Sequence, residues 1–163
     1  MRVLGLDPGL TCAGYGLVER SGASVRALAY GAIRTPRGPV PQRLALLYEE
    51  IRALLGAHEP EAVAVERVLF NANTRTAMSV GQAAGVALLA ASQAGCEVAE
   101  YTPNEVKQTV AGYGTADKSQ VQLMIAKVLG LDAVPEPADA ADALGLALTH
   151  VRSRKLRRLA AHA

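Results

Sequence analysis

The chain is poor in features that would fix a fold by crosslinks or bury it in a membrane. Its 163 residues include only two cysteines, Cys12 and Cys96, far apart in sequence, so neither a disulfide framework nor a zinc-ligand cluster is indicated. The three histidines, His58, His150 and His162, stand at no ligand spacing and are assigned no chemistry. No apolar run approaches the roughly 20 residues of a membrane helix, the longest small-apolar stretch being residues 86–91. No basic segment followed by a signal-type apolar core opens the chain. A soluble protein of the reducing cytosol, without membrane contact, is expected. Internal repeats, low-complexity segments and dividing linkers are lacking too, and with half of the residues hydrophobic the length suits one domain with a real core.

A large charge of one sign is also missing. The net charge is +2, yet Arg152, Arg154, Lys155, Arg157 and Arg158 crowd the end of the chain with no acid among them. Without these five the chain holds 12 Lys and Arg against 15 Asp and Glu, a net of −3. The body is therefore no polycation, and any nucleic-acid site has to be made from a few placed lysines and arginines, with the salt dependence that such contacts carry. The expected division is a domain over residues 1–151 and a basic C-terminal tail over 152–163. The tail reads equally well as a solvated helix end.

Residues 2–34 read as strands over 2–7, 12–20 and 25–35, separated by Pro8-Gly9 and Ser21-Gly22 turn signals, which predicts an antiparallel meander. Leu44, Leu47, Tyr48, Ile51, Leu54 and Leu55 then recur at helical spacing, with Gly56 and Pro60 expected to stop that helix. The short apolar run Ala62-Val63-Ala64-Val65-Glu66 has the character of a covered parallel strand. A polar loop over 67–75 leads into a long Ala/Gly/Val helix to about Ser92, and residues 96–101 form the next strand. Thr102-Pro103-Asn104-Glu105 combines a capping box with proline at the first helical position, and Gly112-Tyr113-Gly114 closes the helix it starts. Asp117 to Gln120 opens another, with Val121, Met124, Ile125, Val128 and Leu129 as its buried face. In the last helix Asp139, Asp142, Leu146 and Thr149 share one face, while Ala141, Leu144, Leu148 and Val151 occupy a second. Strands followed by alternating helices and strands make a mixed-sheet α/β domain.

Four acids stand out on this frame. Asp7 closes the apolar run Val3-Leu4-Gly5-Leu6, Glu66 closes the run beginning at Ala62, and Asp139 and Asp142 sit near a helix start. An acid at the end of a buried strand is costly unless something positive meets it. Mg²⁺ or Mn²⁺ takes such oxygen ligands, so carboxylates from separate elements converging on one point would serve metal-dependent phosphoryl chemistry. Taken singly, Asp7 is an ordinary turn residue, Glu66 a strand end meeting solvent, and the last pair an electrostatic match to a helix N-terminus worth about 0.3–1 kcal/mol each.

The segments GLDPGLTCAGYG, AVAVERVLF, VGQAAGVALLAA, EVKQTVAGYGTADKSQV and ADAADALGLALTH occur in that order along nearly the whole chain. Together they resemble the RuvC family of Holliday-junction resolvases, within the RNase H-like superfamily. The resemblance implies an RNase H-like α/β fold: a five-stranded mixed sheet flanked by helices on both faces. It also implies a homodimer that resolves four-way DNA junctions by paired symmetric nicks in recombination and repair, with the RuvA and RuvB branch-migration proteins as partners. Asp7, Glu66, Asp139 and Asp142 match the family's catalytic acids, implying two Mg²⁺ or Mn²⁺ ions per site, roughly 3.5–4 Å apart. Asp7 is the expected shared ligand, and the sequence does not rank Asp139 against Asp142. Lys107 and Lys118 match lysines that hold phosphate near the site.

In the loop after Glu66, Leu69 aligns with an aromatic that some members stack on a base. Phe70, the only phenylalanine, follows it and reads either as that wedge or as a core anchor. Asn73 and Arg75 are further candidate DNA contacts. Gly81, Ala84 and Gly85 suit either tight packing on the sheet or a symmetric dimer contact. Two rival readings remain at this level. One is an actin-like or sugar-kinase-type ATP module, which shares the GLDPG turn but normally occurs as two copies. The other is an RNase H-like nuclease acting on other nucleic acids.

Overall fold

The computed structural model describes residues 1–68 and 74–161, without the side chains of 74–75 and 155–161. Three antiparallel strands come first: β1 (Arg2–Asp7), β2 (Cys12–Ser21) and β3 (Ser24–Arg34). Helix α1 (Val40–His58) crosses to β4 (Ala62–Glu66), and α2 (Thr74–Gln93) crosses to β5 (Glu97–Tyr101). Both crossovers produce parallel pairs, β1 with β4 and β4 with β5, giving one mixed sheet of order β3-β2-β1-β4-β5. Helices α3 (Pro103–Ala111), α4 (Lys118–Leu129) and α5 (Ala138–Ala161) complete the chain. Mixed α/β architecture and helices on both faces agree with the expectation.

Alternation along the strands divides the interior into two cores. Leu4, Leu6, Leu17, Val63 and Val65 point to the side of α1 and α2, where they meet Leu47, Ile51, Leu55, Ala83 and Ala87. Val3, Val18, Ala62 and Ala64 point to α5, with α3 and α4 packed behind it. That second layer explains a correction to the two-faced reading of the last helix. From Ala140 to Val151 every residue except Asp142 is buried, because α5 is covered by the sheet on one side and by helices on the other.

Local signals set most boundaries. Both capping boxes form: Thr102 with Glu105 at the start of α3, and Asp117 with Gln120 at the start of α4. Gly112 ends α3 at φ 88°, a left-handed conformation that glycine adopts at little cost. Helix α1 departs from expectation by running through Gly56 to His58, with Glu59 rather than a glycine taking the left-handed position at φ 45°. Cys96 falls just before β5, and its thiol donates to the Pro60 carbonyl at 3.3 Å. On α2, Gly81 and Gly85 face open space, so they do not provide packing on the sheet, whereas Ala84 is buried. The basic segment after residue 151 continues α5 to Ala161. Arg152 donates to the Thr109 carbonyl and Arg154 pairs with Glu97 at 2.9 Å.

Candidate active site

Asp7 and Glu66 end two adjacent parallel strands, Leu6 lying opposite Val65 in the register. By alternation each points to the α5 side of the sheet, in line with Gly5 and Ala64. The two carboxyl groups are hydrogen-bonded to one another. Burial pushes Asp7 up to about 8, helped by the negative charges of Glu66, Asp142 and Asp139. Glu66 is also raised, again chiefly by burial, although the bond to Asp7 works the other way. Asp7 therefore holds its proton well above the usual carboxylate range, with Glu66 as its hydrogen-bond partner.

The start of α5 brings the other two acids over these strand ends. It approaches so closely because the underlying strands carry glycine. A Cβ on Gly5 would lie 1.9 Å from the Ala143 carbonyl oxygen, one on Gly14 1.9 Å from that of Asp139, and one on Gly16 2.7 Å from the Leu144 nitrogen. Gly5 and Gly16 are direct cross-strand partners, and Gly14 is the partner of Asp7, so the bare patch leads straight to the acid. Asp139 accepts a weak hydrogen bond from the Cys12 thiol at 3.4 Å. Asp142 accepts one from the Lys118 ammonium at 2.7 Å, which is the main cause of the raised Lys118 pKa. The Asp117 cap fixes the turn that presents Lys118. Lys107, on α3, joins Glu66, Lys118 and Asp142 around a cavity of about 220 Å³.

Six of the residues singled out in the sequence are thus assembled in one place: Asp7, Glu66, Asp139, Asp142, Lys107 and Lys118. Leu69, Phe70 and Asn73 lie outside the described residues. Arg75 belongs to the first turn of α2 rather than to a loop, and its side chain is likewise outside the description. Sequence reasoning passed over Gly5, Gly14 and Gly16, which seat α5, and Cys12, which touches Asp139. The glycines had a readable signal: an i, i+2 pair in one strand facing a glycine in its neighbour marks a place where another backbone comes close.

Chemically, the site is rich in hard oxygen donors that repel one another. Carboxylates gathered where burial, and after it their mutual repulsion, holds the Asp7 proton up to about 8 form a donor set suited to a divalent cation, whose charge would offset both. Among the described residues no three acid, histidine or cysteine side chains are closed to ligand spacing. Asp7 is committed to Glu66, Asp139 to Cys12, and Asp142 to Lys118. The donor chemistry fits a hard cation, with Lys118 already supplying one positive charge to Asp142.

Comparison with known proteins agrees with this geometry. The family model for Crossover junction endodeoxyribonuclease RuvC matches residues 3–150. The crossover junction endodeoxyribonuclease RuvC of Syntrophomonas wolfei is 50% identical over 157 residues, covering 96% of this chain and 91% of that protein. The one from Moorella thermoacetica is 54% identical over 151 residues, covering 92% and 90%. Among solved structures, T. thermophilus RuvC in complex with Holliday junction substrate matches with a TM-score of 0.90 and 40% identity over 96% of each chain. The yeast mitochondrial Holliday junction resolvase Ydc2, at 13% identity and a TM-score of 0.70, covering 94% of this chain and 78% of its own, shares the fold alone. On a family match that takes in both strand-end acids and the start of α5, this chain belongs to the RuvC family of crossover junction endodeoxyribonucleases, on an RNase H-like fold.

Proposed function

We propose that the chain cuts four-way DNA junctions by paired symmetric nicks in recombination and repair, using Asp7, Glu66, Asp139 and Asp142 to hold two Mg²⁺ or Mn²⁺ ions. The observation that carries the reading is the convergence of those four acids with Lys107 and Lys118 at one end of the sheet. Bound there, the ions would supply Lewis-acid activation of an attacking water and stabilisation of the leaving oxygen at a phosphodiester. The protein's own part is to orient and to balance charge. Asp7 and Glu66 give up their shared proton, and the glycine-seated α5 fixes Asp139 and Asp142 against them. Lys107 and Lys118 hold the phosphate and offset the charge that develops on its oxygens. Phe70, Asn73 and Arg75 are proposed DNA contacts from the segment following Glu66.

The working unit is a homodimer, since two equivalent sites suit a two-fold junction. The outer face of α2 supports this: Met78 and Leu89, 65% and 52% exposed, flank the bare Gly81 and Gly85 at helical spacing. The proposed catalytic domain is residues 1–151, with the basic extension 152–163 beside it, acting in the cytoplasm with RuvA and RuvB. No helix of the described residues is long and apolar enough to cross a membrane.

The test incubates purified protein with a synthetic four-way junction, a linear duplex and an RNA:DNA hybrid, with and without Mg²⁺ or Mn²⁺. Paired nicks confined to the junction and dependent on the cation are expected. Cleavage of all three alike, or ATP hydrolysis without cleavage, would overturn the reading. Asp7→Asn is expected to bind the junction without cutting it.

A further inference from the structure

The cavity beside the acids is more than the space between them. Its rim is charged, with Lys107 and Lys118 facing Glu66 and Asp142, but its floor is made of Val106, Val121, Ile125 and Leu146. Val121, Ile125 and Leu146 are buried core residues, so the depression reaches into the interface of α3, α4 and α5. Gly145 keeps that floor low: a Cβ there would meet Ile125 at 3.0 Å and Val106 at 3.2 Å. At about 220 Å³ it falls below the usual range for drug-sized ligands and suits a single ring system rather than a base pair.

From this placement we propose that the cavity receives one unstacked nucleobase of the strand being cut, from a nucleotide next to the scissile phosphate. The inference rests on the nuclease reading above and adds a subsite to it. A phosphate delivered to Glu66 and Asp142 brings its neighbouring nucleotides over this opening. The two lysines match the phosphates on the way in, and the apolar floor matches the face of a ring. Apart from the rim charges, no hydrogen-bonding side chain among the described residues lines the cavity. Recognition is therefore of a ring's presence and size, not of its hydrogen-bonding edge, and the subsite tolerates different bases. It also gives preference to a flexible junction, because a base held in a regular duplex has to be unstacked before it can enter.

The experiment fills the cavity and empties the nucleotide in turn. Wild type, Val106→Phe and the milder Val106→Leu are compared on an intact junction and on junctions with a tetrahydrofuran abasic analogue at either nucleotide flanking the cut. At one of the two flanking positions the cavity and the base should be coupled. Val106→Phe should slow the intact junction about tenfold in kcat/KM while cutting that abasic junction at the wild-type rate, with Val106→Leu showing the same pattern more weakly. Thermal melting of each variant confirms that the fold is kept. If the variants slow intact and abasic junctions by the same factor, or slow neither, there is no base in the cavity. A normally cut junction with no such coupling overturns the subsite alone, whereas an intact junction that wild type never cuts overturns the nuclease reading itself.

Discussion

The two sides of the sheet are built against the same five strands by opposite means. Toward α1 and α2 the strands present Leu4, Leu6, Leu17, Val63 and Val65, and large side chains such as Leu47 and Ile51 fill the gap. Toward α5 they present Gly5, Gly14, Gly16, Ala62 and Ala64, and the helix answers with Ala140, Ala143 and Ala147, so backbone lies nearly on backbone. A side-chain-filled interface can adjust by rotamer changes, whereas a backbone contact has nothing to move except the helix. The acids sit over the second kind of interface. Precision of placement is what the small residues contribute there, while the large side chains of that core, such as Val3, Val18, Leu144 and Leu148, pack around the bare patch.

The sharpest way to break this contrast is to destabilise each side equally and ask which loss reaches the chemistry. Gly14→Ala puts a methyl where the Asp139 carbonyl already lies, at a cost of about 3 kcal/mol, or a fall in Tm of roughly 6–12 °C. Leu47→Ala opens a cavity under α1 for about 2–5 kcal/mol. Junction cleavage per folded molecule, measured below both melting points, should drop at least about 100-fold in the first and stay near wild type in the second. Similar losses of cleavage in both would remove the distinction.

A smaller effect separates the sides by charge. The metal-free Asp7 carboxyl binds its proton far more tightly folded than unfolded, so its stabilising contribution is complete below the ordinary value of 3.8 and is lost as pH rises toward about 8. Chemical denaturation without divalent cation should show stability declining with pH across this window. Asp7→Asn, or saturating Mg²⁺, should flatten the decline. A pH-independent profile in metal-free wild type would mean that burial and the neighbouring acids do not hold the Asp7 proton.

The smallest change sharpens the tolerant side. Gly56 lies inside α1, and a Cβ there meets nothing within 4 Å. Gly56→Ala should raise stability by about 0.5–1 kcal/mol through helix propensity, visible as a slightly higher Tm, with cleavage unchanged. A loss of stability would show that α1 needs this glycine after all.

Much of the fold was legible because its signals are local. The meander followed from strand patterning and turn pairs, and the two capping boxes formed as the Thr102/Glu105 and Asp117/Gln120 spacings required. The acids could be picked out because Asp7 and Glu66 each close a short apolar run. What escaped notice depends on partners distant in sequence. Nothing near Lys118 announces that it will rest on Asp142, 24 residues on. The burial of α5 on both sides between Ala140 and Val151 comes from α3 and α4 folding back over it, which its own periodicity cannot encode. At Gly56 a glycine suggests a helix stop that the chain makes at Glu59 instead, and of the two roles open to Gly81 and Gly85, sheet packing and a dimer contact, their outward position removes the first. The decisive use of glycine was on the strands, where an absent side chain becomes meaningful only once a helix lies across it.

Helix α5 is fastened at two places. Its first turns rest on the glycine patch, and about two turns past the last of those contacts, at Ala147, Arg154 is clamped to Glu97 and Glu61, beside the chain's own amino terminus. A helix fixed twice behaves as a keyed shaft: its phase is set along with its position. One residue inserted between the two fastenings would turn one end by about 100° relative to the other and lengthen the span by about 1.5 Å. Either Asp139 and Asp142 would swing away from Asp7 and Glu66, or Arg154 would leave its partners. The spacing between the acid pair Asp139 and Asp142 and the distal arginine is thus a register that tolerates substitution far more readily than any change in length.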